Sequence, residues 1–311
     1  MENNPNIKTL DNAEDEIDLR ELLQALWHGK WLILTTTSLF SIVAIIYSLS
    51  LPNIYQSKAY LSPVGESRSS GGSMQGMGGL ASYAGISLPS QSVGSKSTKA
   101  LEKLNTLSFF TENILPNIFL PDLMALESWE ASTNTILYNK EVFNLETQAW
   151  VVEPQAYSAQ KSFRAFNEQL RVIRDELTGF ITIVIKHQSP YVAQEWAELI
   201  VNQLNIFYRS KDKLEAQVAM NFLNTQIAQT SFTEIKQVLA QLLQDKAQKL
   251  TLIEVNNFYV FEYIDPPAVM EKRIEPSRSS ICIMGAFLGG ILGFLIILIR
   301  FIIAKPKTLM I

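Results

Sequence analysis

The fold of this chain is decided by two uncharged stretches, WLILTTTSLFSIVAIIYSLSL at residues 31–51 and SSICIMGAFLGGILGFLIILI at residues 279–299. A helix rises about 1.5 Å per residue, so roughly 20 apolar residues cross the hydrocarbon core of a bilayer. Each stretch is therefore predicted to be a transmembrane helix. Because two spans return the chain to its starting side, we expect both short tails in one compartment and residues 52–278 in the other.

The first stretch is predicted to be an uncleaved anchor. Residues 1–30 precede it and are rich in acidic side chains, whereas signal peptides begin short and basic. Lysines and arginines near the span ends are balanced between the two sides, but short segments carry more weight and the C-terminal tail is basic. We therefore place residues 1–30 and 300–311 in the cytoplasm. Apolar residues at helical spacing over residues 17–27 predict an amphipathic surface helix or an extension of the first span.

Composition argues against several classes of function. The 311 residues carry a formal net charge of -4, so no nucleic-acid partner is predicted. Cys282 is the single cysteine, which excludes an intramolecular disulfide. His28 and His187 have no ligand cluster around them, so we expect no metal and place both at a surface or interface. No phosphate-binding loop, nucleophile elbow or His-Glu-x-x-His motif occurs, and neither a catalytic site nor a cofactor is predicted.

Residues 52–278 are predicted to form one α+β domain. Alternating residues predict a strand at 55–64, β-branched runs predict a hairpin of residues 170–174 and 180–186, and a returning strand is expected at 259–263. Helical spacing over residues 98–129, interrupted by Pro116 and Pro121, predicts short helices. Glycine and serine dominate residues 65–97, which favours a mobile surface loop, with a partner-contact surface as the alternative.

Residues 190–255 contain the strongest helical signal. Ser189 is suited to cap the first turn, and Pro190 fits the first helical position. Apolar residues every three or four positions continue past Gln226, and a second helical stretch runs to about Leu250, with a kink or cap at Thr230. The first helix would reach on the order of 50 Å, too long for one small core. Its apolar stripe therefore predicts cover by neighbouring subunits, by the second helix, or by both.

Three glycines of the second span, Gly285, Gly289 and Gly293, fall four residues apart on one helix face. Without side chains, such positions let another helix approach closely in lipid, where packing drives association. We predict that this face packs against the first span or against another protein.

Short motifs lie on both sides of the central region. An Ile-Asp-Leu lead-in ends at Leu19, Leu-Pro-Asn-Ile-Tyr occupies residues 51–55, and a proline-punctuated approach precedes the glycine-rich second span. With the two terminal spans, this ordered combination resembles the polysaccharide co-polymerases, and more narrowly the Wzz-type chain-length determinants of the kinase-free class. Met270 and Arg273 stand where further prolines are typical of that family.

The resemblance implies an inner-membrane protein with a periplasmic α/β base and long protruding helices, assembled into a bell-shaped homo-oligomeric ring. It implies a non-enzymatic scaffold that works beside an O-antigen-type polymerase, contacts lipid-linked glycan and membrane lipids, and regulates the chain lengths of O-antigen or a related surface polysaccharide. The alternative is an adaptor that links capsular or exopolysaccharide export to an outer-membrane channel. The membrane-proximal motif of the family corresponds here to Pro52, Tyr55, Pro266, Pro267 and Pro276.

Overall fold

The computed structural model describes residues 27–64, 96–153, 157–256 and 258–304, with the side chains of residues 302 and 304 excepted. Predictions for residues 17–26 and 65–95 lie outside the described residues. The chain divides into two compact units. The membrane unit comprises Met1–Pro52 and Glu275–Ile311, and the sheet unit comprises Asn53–Ile274.

The membrane unit contains two long apolar helices, α1 at Lys30–Ser50 and α8 at Arg278–Ala304. Both are long and apolar enough to cross a membrane. They pack against each other, with Gly285 of α8 beside Ala44 and Gly293 beside Ile33, so the pair is antiparallel. Helix α8 continues past the predicted boundary at residue 299, because Arg300 is followed by further residues that favour a helix.

The described residues of the sheet unit form eight strands and six α-helices. The strands are β1 (Tyr55–Pro63), β2 (Leu126–Glu130), β3 (Thr135–Tyr138), β4 (Phe143–Asn144), β5 (Ala149–Trp150), β6 (Leu170–Arg174), β7 (Ile181–His187) and β8 (Phe261–Asp265). The helices are α2 (Lys96–Leu104), α3 (Leu107–Phe109), α4 (Leu120–Met124), α5 (Ala159–Gln169), α6 (Pro190–Gln229) and α7 (Thr233–Val255).

A four-stranded sheet in the order β6-β7-β1-β8 forms the base of this unit. Every neighbouring pair is antiparallel, and Ala59 of β1 lies opposite Ile183 of β7. The predicted strand at residues 55–64 and the predicted hairpin of β6 and β7 are confirmed. The returning strand is also present, but β8 begins two residues later than the predicted position at residue 259.

One face of this sheet packs against the first half of α6. Alternate residues of β1 and β7 are fully buried, among them Leu61 and Ile183. Helix α6 contributes a stripe at helical spacing that includes Trp196, Ile200 and Leu204. Side chains return to the same face every two residues in a strand and about every 3.6 residues in a helix, so the apolar residues of both elements point into one core. Each fully buried large side chain stabilises that core by about 1.5–3 kcal/mol.

Helix α6 contains 40 residues, so it is about 60 Å long. It ends at Gln229, next to the predicted break, and α7 packs against it. Ser189 precedes the first helical residue as predicted, but its side chain makes no capping hydrogen bond. The two helices do not cover each other completely, because large apolar side chains of α6 such as Val218 and Phe222 remain exposed.

The segment between α2 and α5 departs from the prediction. Helices end at Met124, and a π-helical turn at Phe110–Ile114 and a 3-10 turn at Leu115–Asn117 interrupt them. The prediction of helix as far as residue 129 is wrong, because β2 pairs with β3 and a second small hairpin joins β4 to β5. Asn134 and Gln148 form the turns with a φ of 49° each. Together the results confirm a mixed α and β domain flanked by two candidate membrane-spanning helices.

Candidate functional site

The glycine face of α8 lies directly against α1. Gly285, Gly289 and Gly293 each have backbone or side-chain atoms of α1 where a Cβ would be placed. A Cβ added at Gly289 would lie 2.8 Å from the Phe40 Cβ and 2.9 Å from the Thr36 carbonyl oxygen. Optimal contacts between carbon atoms are about 3.5–4.0 Å, so no larger residue fits without moving the helices apart. The packing partner of this face is the first span.

Neighbouring positions show how narrow this contact is. A Cβ added at Gly290 would meet nothing closer than the Thr37 Oγ1, at 3.7 Å, which is ordinary contact. The Thr36 hydroxyl, which lies beside Gly293, is satisfied within its own helix, because its Oγ1 donates to the Leu32 carbonyl oxygen at 3.0 Å. The interface is therefore held by close packing along one line of small residues.

The membrane-proximal motif is distributed over both units. Pro52 and Pro276 belong to the membrane unit, and Tyr55, Pro266 and Pro267 belong to the sheet unit. Tyr55 is the first residue of β1, and its ring lies edge-on to Trp129 with 5.3 Å between centroids. Pro267 is buried and Pro266 is exposed.

The segment that follows Pro267 instead holds the two ends of the sheet unit together. The Ser57 hydroxyl donates to the Ala268 carbonyl oxygen at 2.9 Å. Farther along, the Ile274 backbone N–H donates to the Ile54 carbonyl oxygen at 2.8 Å. Chain entry and chain exit are thus bonded side by side, which fixes the positions from which the chain continues into the membrane unit.

Asn205 joins the middle of α6 to the start of β8. Its Oδ1 accepts hydrogen bonds from three successive backbone N–H groups, at 3.2 Å from Tyr259, 2.7 Å from Val260 and 3.0 Å from Phe261. Its Nδ2 donates to the Phe261 carbonyl oxygen at 3.0 Å. These four hydrogen bonds hold the segment that leads into β8 against the middle of α6.

Asp212 extends this connection about two helical turns farther along α6. Its Oδ2 accepts from the Lys96 ammonium at 2.9 Å and from the Tyr259 hydroxyl at 2.5 Å. The Lys96 ammonium also lies 3.9 Å from the centroid of the Tyr259 ring. Burial by itself raises the pKa of Asp212, but the hydrogen bonds from Tyr259 and Lys96 outweigh it and hold that pKa below its usual value. Burial and the Asp212 carboxylate raise the pKa of Tyr259.

His187 is buried, with 2% of its surface exposed, so its predicted position at a surface is wrong. It lies on the core-facing side of β7, and its Nδ1 accepts from the Ser189 backbone N–H at 3.0 Å. With Nδ1 as an acceptor, we assign the proton to Nε2, which donates to the Asp122 carbonyl oxygen at 3.1 Å. Burial lowers the pKa of His187. The ring is a neutral structural group that fixes the junction of β7 and α6.

The Asp122 carboxyl group does not form a relay with this histidine. Its Oδ1 accepts from the Tyr138 hydroxyl at 2.6 Å, whereas His187 binds the backbone carbonyl of Asp122. Burial raises the pKa of Asp122, and the hydrogen bond from Tyr138 opposes that rise. Among the described residues, no group of three or more His, Cys, Asp or Glu side chains is placed to hold a metal ion.

Comparison with known proteins shows what the N-terminal part of the chain is similar to. Residues 15–101 match the family model described as Wzz, chain length determinant protein. Over these residues the chain is similar to that family. It is also similar to a solved structure described as a full-length bacterial polysaccharide co-polymerase, with 15% identity, a TM-score of 0.40, and coverage of 94% of this chain and 100% of that chain. No curated protein gave a significant match.

The residues matched by the family model include only some of those whose contacts are described above. It includes α1, Pro52, Tyr55 and all of β1, and it ends within α2. The glycine face of α8 and the polar contacts of Asn205 and Asp212 lie beyond the matched residues. Their description therefore rests on the contacts within this chain itself.

Sequence reasoning missed Asn205 and Asp212. A signal for Asn205 was present, since it falls beside Leu204 and three residues before Tyr208 on the stripe that the helical spacing predicts to be buried. A polar side chain on such a stripe requires partners, because burial without hydrogen bonds is costly. The identity of those partners, three N–H groups more than fifty residues away, depends on the tertiary fold.

Proposed function

We propose that this Wzz-type protein regulates the distribution of chain lengths of O-antigen or a related bacterial surface polysaccharide. The observation that carries the proposal is the match of residues 15–101 to the chain length determinant family. In this proposal the protein lies in the inner membrane, with its tails in the cytoplasm and the sheet unit in the periplasm. It acts as a scaffold without chemistry of its own, beside the polymerase that extends lipid-linked glycan.

The proposed scaffold is a homo-oligomeric ring built through the long helices. Leu214, Val218 and Phe222 lie four residues apart along α6 and are 62%, 60% and 61% exposed. A line of large apolar side chains in water favours a protein contact over solvent. A second copy of the chain is the partner that we propose for this surface, and repetition of that contact would close the ring.

The proposed polymerase contact uses the membrane unit. Because α1 occupies the glycine face of α8, the surface left for another membrane protein is the outward side of the helix pair. That side includes Phe287 and Ile283 of α8, each 69% exposed, and Ile46 of α1, 64% exposed. The helix pair would then offer the polymerase one preformed surface rather than two separate helices.

The test is complementation of a strain in which the gene is deleted, with surface polysaccharide resolved on a gel. We expect deletion to remove the modal band and leave polymer of unregulated length at the surface, and the wild-type gene to restore the band. Loss of all surface polymer would contradict this function and support the export adaptor. Unchanged polymer lengths after deletion would contradict both.

A pair of variants tests the ring. Phe222→Asp places a charge on the exposed apolar line of α6, whereas Asn224→Asp places the same charge on an exposed polar position of the same helix. We expect Phe222→Asp alone to shift crosslinked species in native membranes toward monomer and to broaden the polymer lengths. Equal effects of the two variants would contradict an interface at this line.

A further inference from the structure

A cleft of about 490 Å³ lies between α1 and α8 within the membrane unit. Apolar side chains of Trp31, Leu32, Ile297 and Phe301 line it together with His28 and Arg300. It lies at the end of the pair where α1 begins, because α8 runs antiparallel and its Gly293 is already opposite Ile33. Arg300 follows Gly293 by about two helical turns, which brings it to the level of the first residues of α1.

The residues around the cleft are those that membrane proteins place at the level of lipid headgroups. Lys30 is the first residue of α1, and Arg300 is the first charged residue of α8 after Arg278 at its other end. Trp27 and Trp31 are 72% and 68% exposed, and the Lys30 ammonium lies 4.9 Å from the centroid of the Trp27 ring. Tryptophans and cations of this kind mark the boundary between hydrocarbon and water.

The charge of the residues that line the cleft favours an anionic ligand. Among the described residues, no carboxylate lines the cleft and the Arg300 guanidinium forms no ion pair. A guanidinium presents paired N–H donors that match the geometry of two phosphate oxygens. The apolar floor made by Leu32 and Ile297 suits acyl chains, so one end of the cleft favours phosphate and the rest favours hydrocarbon.

We propose that this cleft binds the phosphate headgroup of one anionic phospholipid. Arg300 binds the phosphate oxygens, and the rings of Trp31 and Phe301 contact the glycerol and the first part of the acyl chains. The lipid would thereby bridge α1 and α8 at the end opposite the sheet-proximal residues of both helices. This inference concerns the membrane unit alone and does not depend on a role in polysaccharide synthesis.

The experiment uses the full-length protein in a neutral detergent, titrated with short-chain phosphatidylglycerol and, separately, with phosphatidylcholine. Native mass spectrometry counts the lipids that remain bound. We expect one phosphatidylglycerol to bind more tightly than phosphatidylcholine. Arg300→Gln should weaken that binding about fivefold, because a basic residue near an anionic headgroup contributes about that factor. Arg300→Lys should retain most of it, and Lys272→Gln is a control that removes a charge from the sheet unit.

Each outcome decides for or against the proposal. Equal binding of phosphatidylglycerol to the wild type and to Arg300→Gln would overturn it, provided that the variant elutes as the wild type does. Displacement of the lipid by inorganic phosphate would overturn the lipid as occupant and leave a simple anion site. Stronger binding of a polyprenyl-diphosphate saccharide than of phosphatidylglycerol at equal concentration would replace the phospholipid by the lipid-linked glycan.

Discussion

Replacing Gly289 by alanine tests the close contact of the two membrane helices. The added Cβ would lie 2.8 Å from the Phe40 Cβ and 2.9 Å from the Thr37 Cα. Both neighbours belong to α1, and the Thr37 Cα is backbone that cannot turn away. To restore ordinary carbon contacts, the helices must separate locally by about 1 Å.

The cost follows from the loss of dispersion across the face. A gap of about 0.5–1 Å removes roughly a quarter to a half of the attraction between two atoms. If about 20 atom pairs each contribute about 0.15 kcal/mol, the loss is about 1 kcal/mol, at the lower end of the range for overpacked interiors. Alanine also raises helix propensity by as much as about 1 kcal/mol, which would mask the effect in a single variant.

Gly290→Ala is the matched control, because it brings the same propensity and its Cβ meets nothing closer than 3.7 Å. We expect Gly289→Ala to be less stable than Gly290→Ala by about 1 kcal/mol, a factor of about five in the unfolding equilibrium. The assay is unfolding of the full-length protein by added SDS in mixed micelles. Its readout is the rate of thiol modification of Cys282, a half-buried residue of α8 and the only cysteine. Equal midpoints for the two variants would refute the reasoning.

Three further predictions concern the sheet unit. Burial lowers the pKa of His187 from 6.5, so the unfolded form binds the proton first. The free energy of unfolding should therefore fall as pH drops below 6.5, by at most about 1.4 kcal/mol per pH unit. Thermal unfolding at several pH values should show this slope in the wild type and a smaller one in His187→Gln. Asn205→Ala should lower the free energy of unfolding by about 3 kcal/mol, because three N–H groups, two of them buried, lose their acceptor. The exposed control Asn202→Ala should change the urea midpoint little. Because the pKa of Asp212 is lowered, this carboxylate stabilises the fold above pH 3.8, and the stabilisation is lost as the pH falls through its folded pKa. Asp212→Asn should therefore destabilise the protein at neutral pH and flatten the acid limb of the curve of stability against pH. An unchanged acid limb would contradict the assignment.

The sequence predicted the elements whose pattern is set locally. Alternating residues identified β1, β-branched residues identified the hairpin of β6 and β7, and helical spacing identified α6 to within a few residues of its end. It failed over residues 126–150, where strands of two to five residues are too short for a periodic signal. Those hairpins depend on turns at Asn134 and Gln148 and on ring contacts such as Phe143 with Trp150, at 5.2 Å.

The features of the candidate site could likewise be predicted from the sequence only in part. The four-residue spacing of the glycines predicts a packing face, but the sequence left the partner open between the first span and another protein. The fold brings α1 to that face, and the distances to α1 distinguish Gly289, which has no room for a Cβ, from Gly290, which has. His187 was placed at a surface or interface because no ligand cluster surrounds it in the sequence. Its burial follows from the pairing of β7 with β1, which directs alternate side chains of β7 into the core.

The buried polar groups of the sheet unit explain how the direction of α6 is specified. Apolar packing between α6 and the sheet tolerates small shifts along the helix, because one aliphatic contact replaces another at similar cost. Hydrogen bonds at buried positions do not tolerate such shifts, because any shift leaves buried donors unpaired. His187 fixes the first turn of α6 through the Ser189 N–H, and Asn205 fixes the helix again at the start of β8. Two fixed points along one rigid helix determine its direction. The exposed line that ends at Phe222, about 25 Å beyond Asn205, is thereby held in a defined orientation for the neighbouring subunit that we propose.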